Sequence, residues 1–280
     1  MLVVIAVGLA FNVVIGYGPV GVVIAVVVAA ALAVGSYWKS DQIALSMSRA
    51  QPASVEEYPR FHNIVEGLCI AGGLPKPRLY IVQDDAPNAF ATGRDPKHAA
   101  IAVTTGLLQK MNRIELEAVI AHELSHVKNY DILVSTLAVT MVGAVALLAD
   151  IGVRSMLFGG RRRDNDSGGA GSILFIVALV FLVLAPIVAK VMQLAVSRRR
   201  ESLADFSAVE MTRYPPGMVS ALEKLRDDQT VVASGSRATA HLWIEQPMAR
   251  KKEEGSFARL NNLFDTHPPL EERIAALREL

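Results

Sequence analysis

The chain has 280 residues, enough for a buried core and for two small domains. Its 28 Lys and Arg balance 27 Asp and Glu, so the net charge of +1 argues against a nucleic-acid partner. A hydrophobic content of 52% points towards a lipid bilayer, and a single cysteine, Cys69, excludes an internal disulfide framework and a thiolate zinc site built from this chain alone.

Residues 1–34 are almost wholly apolar, longer than the about 20 residues that one span needs. Gly16-Tyr17-Gly18-Pro19 interrupts them with turn chemistry. The expectation is a transmembrane hairpin over 1–38, with arms at 1–15 and 20–37 and an interfacial anchor at Tyr37, Trp38 and Lys39. A secretory signal would begin with a basic stretch, and none precedes the run.

The first aqueous block covers 39–131. Residues 54–71 predict a helix stopped by Gly72-Gly73. Short strands are expected at Arg78–Val82, Asn88–Thr92 and Ala99–Thr105, the last two joined by the turn-like GRDPKH. Asn112 with Glu115 three residues on resembles a capping box, and no Pro or Gly interrupts 113–142, so one amphipathic helix is expected to run through both His122 and His126.

That helix carries His122-Glu123-Leu124-Ser125-His126, an H-E-x-x-H pattern in a chain with six His. Residues four apart share one helical face, so two imidazoles can grip one Zn²⁺ while the intervening Glu reaches its water. A strand edge beside such a helix can hold a peptide in extended form.

Two further apolar runs, 132–151 and 172–196, predict two more spans within a segment 132–196, joined by a flexible loop at 152–171 that contains RRRDNDSGGAG. Pro186 kinks the second run without forbidding it, and Lys190 sits near its end, where it can snorkel. Arg161–Arg163 then face the side opposite Lys39, Arg49 and Arg198–Arg200, so basic residues flank both sides and charge alone does not orient the chain. Residues 197–280 form the second, largely helical aqueous block, with a mobile connector at 230–247.

A catalytic zinc site takes three protein ligands and a water. Directly after the fourth span, Glu201 and Asp205 lie four apart on one helical face. Glu201 can bind the metal, and Asp205 can accept a hydrogen bond from a ligand imidazole; Glu210, Glu223 and the other His are weaker candidates.

The HELSH helix, SYWKSD at 36–41, PNAFATG at 87–93, RRRESLAD at 198–205 and THPPLEERIAAL at 266–277 together resemble the HtpX family of membrane zinc metalloproteases, which is related to the type 1 CAAX prenyl proteases. The resemblance covers essentially the whole chain. It implies a mainly α, multi-pass membrane protein with a zincin-like domain that carries a small β-sheet. It implies one Zn²⁺ per chain on His122, His126 and Glu201, with Asp205 in support. It also implies a multi-pass plasma-membrane enzyme with a cytoplasmic active site and a quality-control role towards damaged membrane or unfolded proteins. Asn88, beside Ala89 and Phe90, and His267 are implied to lie near the scissile bond, His267 as an oxyanion donor. His62, His98 and His241 read as structural or surface groups.

The expected chemistry is peptide-bond hydrolysis with Glu123 as general base. An intramembrane protease would bury its motif in a span, whereas Arg113, Glu115, Glu117 and Lys128 surround this one. A CAAX-type processing enzyme shares the chemistry and differs only in substrate. A channel or scaffold would need a line of polar residues through the spans, and none is present.

Overall fold

The computed structural model describes residues 41–137, 198–228, 242–244 and 269–280, with 35, 37–39 and 230 besides. The expected spans, the loop at 152–171, His241 and His267 fall wholly or almost wholly outside these residues. Among the described residues no helix is long and apolar enough to cross a membrane. The chain divides into two compact units, residues 1–39 with 137–192, and residues 40–136 with 193–280. The second unit carries the HELSH helix.

That unit is mainly helical with a small mixed sheet. Strands β1 (Gln51–Pro52), β2 (Arg78–Val82), β3 (Ala89–Gly93) and β4 (Ala99–Thr104) lie in the order β1-β2-β4-β3. β2 runs parallel to β4, while β1 and β3 pair antiparallel with their neighbours. β4 reads AAIAVT and is buried at every position, as a central strand covered on both faces requires. β3 lies at one border of the sheet and packs against the helix that carries HELSH.

Helix α1 (Pro59–Gly72) begins five residues later than the sequence suggests. Ser54 Oγ and C=O accept from the N–H groups of Glu57 and Tyr58, closing a turn, and Pro59 then fits the first helical turn, where its missing N–H costs nothing. Gly73 ends the helix in the left-handed conformation at φ 66°, which a side chain would strain. Between β3 and β4, Asp95 caps a single 3₁₀ turn at Pro96–His98 and also takes the His98 ring at 2.8 Å.

Helix α2 (Thr105–Lys110) leads into α3 (Arg113–Lys128). The capping box on α3 forms as expected: Asn112 Oδ1 accepts from Glu115 N–H at 3.0 Å and Glu115 accepts from Asn112 N–H at 2.8 Å. The helix is not an amphipathic surface element. From Glu115 to Val127 nearly every residue is buried, because the sheet lies on one side and helices on the others, while Ile114 stands exposed in the first turn. The helix runs through both His122 and His126, as expected. It stops at Asn129, Tyr130 turns left-handed at φ 60°, and a new helical segment begins at Asp131. The stretch lacks Pro and Gly, so no local breaker announced this break.

Helices α4 (Arg198–Thr212) and α5 (Pro215–Asp227) pack on α3, and α6 (Leu270–Arg278) packs on α4 and α5. Phe61, Leu68, Ile101, Leu116, Ile120, Leu222 and Ile274 join in one core. Residues 242–244 correct the expectation of a mobile connector: Leu242, Trp243 and Ile244 are buried, and the indole of Trp243 meets Phe90 edge-on with centroids 4.7 Å apart. Three bulky apolar side chains gain more from burial than a solvated loop would offer.

Glu115 also ties α3 to α5, accepting from Ser220 Oγ and Lys224 Nζ, each at 2.7 Å. Burial would raise its pKa from 4.5, but Lys224, Ser220 and the Asn112 N–H overcome that and lower it. A depressed folded pKa stabilises the fold above the unfolded value near 4.5 and ceases to do so as pH falls through the folded value. Glu115→Ala is therefore expected to cost roughly 1–3 kcal/mol at neutral pH, with the gap to wild type narrowing below about pH 4.5, as followed by denaturation at a series of pH values.

Candidate active site

α3 delivers His122 and His126 on one face, and α4 crosses it to deliver Glu201 and Asp205. Glu201 lies beside both rings: Oε2 is 3.6 Å from His122 Nε2, and Oε1 is 3.5 Å from His126 Nε2. The two Nε2 atoms are 3.1 Å apart. Each of the three residues offers a donor atom, all within 4.8 Å of one another. Tetrahedral bonds of about 2.0–2.2 Å separate ligand atoms by roughly 3.3 Å, so this triangle has the dimensions of a metal site.

The other nitrogen of each imidazole is anchored. His122 Nδ1 lies 2.9 Å from Asp205 Oδ1, and His126 Nδ1 lies 3.0 Å from Asp131 Oδ2. A carboxylate can only accept, so both Nδ1 atoms carry hydrogen and donate. The tautomers follow from this, and both Nε2 lone pairs turn towards Glu201. Burial by itself would lower the His122 pKa, but Asp205 and Glu201 outweigh it and raise it to about 9. Asp205 and Glu201 thus favour positive charge at the point where these groups converge.

Asp205 has a second partner that sequence reasoning did not single out. Arg273 of α6, 3% exposed, donates from Nε and Nη2 to its two oxygens at 2.8 and 2.6 Å. Arg273 Nη1 makes no hydrogen bond and stands 3.8 Å from Glu201 Oε2. Burial would raise the Asp205 pKa, yet the Arg273 guanidinium and His122 hold it below the usual carboxylate range. Asp131 was missed as well. It reaches His126 only because the helix breaks at Tyr130, and Arg200 lies 3.6 Å from its other oxygen. A carboxylate five residues after the motif was the available signal, but its reach depends on that break.

The remaining expected residues divide. Glu123 is buried on α3. Asn88, Ala89 and Phe90 are buried at the start of β3; Asn88 Oδ1 accepts from Ala89 N–H at 3.0 Å, and its backbone bonds Thr104. Phe90 faces Trp243, whose indole N–H is buried and makes no hydrogen bond, a loss of about 1–3 kcal/mol. His62 Nε2 bonds Ala53 C=O and His98 bonds Asp95, as structural groups do. Glu223 pairs with Arg278, away from this cluster.

The sequence profile of peptidase family M48 matches residues 56–280. The chain belongs to that family. It is a protease of the HtpX group within it: a "Protease HtpX homolog" of Streptococcus equi is 46% identical over 263 residues, 93% of this chain and 86% of the relative. Another, from Thermoanaerobacter pseudethanolicus, is 48% identical over 248 residues, 88% of this chain and 80% of the relative. In three dimensions the chain is similar to the crystal structure of S. mikatae Ste24p, with a TM-score of 0.52 and 17% identity over 97% of this chain. It spans 62% of that longer protein, and the likeness concerns the fold.

Arg273→Met keeps much of the side-chain volume and leaves Asp205 buried with one cation fewer. The expected loss of stability is about 3 kcal/mol by chemical denaturation. The cost should shrink sharply in the Asp205→Asn background, as a double-mutant cycle would measure. Equal losses in the two backgrounds would mean that the pair is energetically idle.

Proposed function

We propose that this M48 protease is a zinc-dependent endopeptidase anchored in the plasma membrane, with its active site on the cytoplasmic side and with membrane or unfolded polypeptides as substrates. The observation that carries the reading is the convergence of two imidazole Nε2 atoms, each with its Nδ1 anchored on a carboxylate, on Glu201. His122, His126 and Glu201 would hold the Zn²⁺, which when bound would supply a water of lowered pKa and a charge that polarises the scissile carbonyl.

Glu123, next to His122 on α3, takes the proton of the attacking water and returns it to the leaving amine. Asp205 and Asp131 hold the two rings in the ligating tautomer, and Arg273 keeps Asp205 ionised. Asn88, Ala89 and Phe90 at the border strand beside α3 hold the substrate in extended form. His267 donates to the developing oxyanion. Residues 39–131 and 197–280 form the catalytic domain. The hairpin at 1–38 and the paired spans in 132–196 anchor it, a reading supported by the hydropathy of those runs and by the HtpX relatives.

A quality-control role rests on the same kinship. Processing of prenylated C-termini is the second reading, and cleavage of a prenylated peptide in preference to an unfolded polypeptide would favour it.

Glu123→Gln is expected to retain zinc, measured by elemental analysis, while cleavage falls by about 10²–10⁴. Wild-type cleavage in that variant would remove Glu123 as the base. Glu201→Ala is expected to lose the metal, and unchanged metal content would assign the third ligand elsewhere. Asp131→Ala should keep the ligand set but weaken zinc affinity by roughly 10–100-fold in chelator competition.

A further inference from the structure

The border of the sheet beside α3 is partly filled by the chain itself. Thr104 N–H donates to Asn88 C=O, so Asn88, Phe90 and Thr92 turn their backbone groups towards β4. Ala89, Ala91 and Gly93 turn theirs outward. Ala89 N–H is closed by Asn88 Oδ1 at 3.0 Å, and Gly93 N–H by Thr136 Oγ1 at 3.2 Å. Ala89 C=O accepts from Ile244 N–H at 3.0 Å. Among the described residues, Ala91 alone keeps both outward groups unbonded.

We propose that Leu242-Trp243-Ile244 is a built-in occupant of the substrate edge, a strap that an incoming polypeptide displaces from β3 before it is cut. This rests on the reading of β3 as the substrate strand. The strap is seated by one backbone hydrogen bond and by the edge-on contact of Trp243 with Phe90. Its hold is incomplete, because the buried Trp243 indole N–H finds no acceptor. An extended peptide can bond Ala89 C=O, Ala91 N–H and Ala91 C=O, three bonds where the strap makes one. Its bulky apolar side chain then takes the place of Trp243 against Phe90. Substrates are thereby restricted to polypeptides already unfolded and carrying an exposed aromatic or large aliphatic residue. The strap shields a sheet border that would otherwise pair with any strand.

Trp243 is one of two tryptophans, the other being Trp38, which is 57% exposed. In a Trp38→Phe, Glu123→Gln protein, Trp243 alone reports. S-carboxymethylated insulin B chain, an unfolded polypeptide without tryptophan, is the probe, and its binding is followed independently by anisotropy of a label on the peptide. The expected result is a red shift of Trp243 emission and stronger acrylamide quenching as the peptide saturates. Trp243→Ala in the active enzyme is expected to lower KM for the same peptide roughly five-fold, the factor that one edge-on aromatic pair supplies, with kcat and zinc content unchanged. Saturable binding with Trp243 emission unmoved overturns the strap and leaves the protease reading standing. Failure of the peptide to bind at all overturns the substrate strand, and the strap with it.

Discussion

Everything at this site depends on which nitrogen of each imidazole is free. A histidine in water samples both tautomers, and a metal site needs one of them. Here Asp205 reaches His122 from a different helix, and Asp131 reaches His126 across a helix break. Both Nδ1–H groups are committed, so both Nε2 lone pairs meet beside Glu201. Remove either carboxylate and the pattern of two His one turn apart remains in the sequence, yet nothing holds the rings in register.

That arrangement places several charges in the interior, which is costly unless each is matched. Asp205 is matched by a bidentate arginine that is itself buried, and the arginine's third nitrogen leans on Glu201. Asp205 from α4 and Arg273 from α6 thus neutralise each other beside His122 of α3. The packing of α6 on α4 and α5 brings Arg273 there, so the C-terminal helix belongs to the site although it supplies none of the proposed ligands. The turn at Tyr130 has a comparable role: a non-glycine residue in the left-handed region is strained, and the strain goes with the one carboxylate that orients His126.

The sheet contributes position rather than charge. β4 is buried on both faces and fixes β3 alongside α3, so a border strand lies next to the reactive helix. Such an edge binds peptides because its outward backbone groups are unpaired, and for the same reason it attracts any strand. That edge is partly closed by Asn88, Thr136 and Ile244.

Local features were legible in the sequence because they depend on neighbours a few residues away. The capping box at Asn112 and Glu115, the strand at Arg78–Val82, the stop at Gly73 and the shared face of His122 and His126 are of this kind. The pairing of Glu201 and Asp205 on one helical face was legible too. Asp131, Arg273 and Trp243 were not. Asp131 serves His126 through a chain reversal that no Pro or Gly announces, Arg273 reaches its partner across 68 positions, and Trp243 sits on Phe90 from a stretch whose composition reads as a loop. Periodicity and spacing encode what one element can present; which element it meets is settled by burial in three dimensions, where packing overrides local preference.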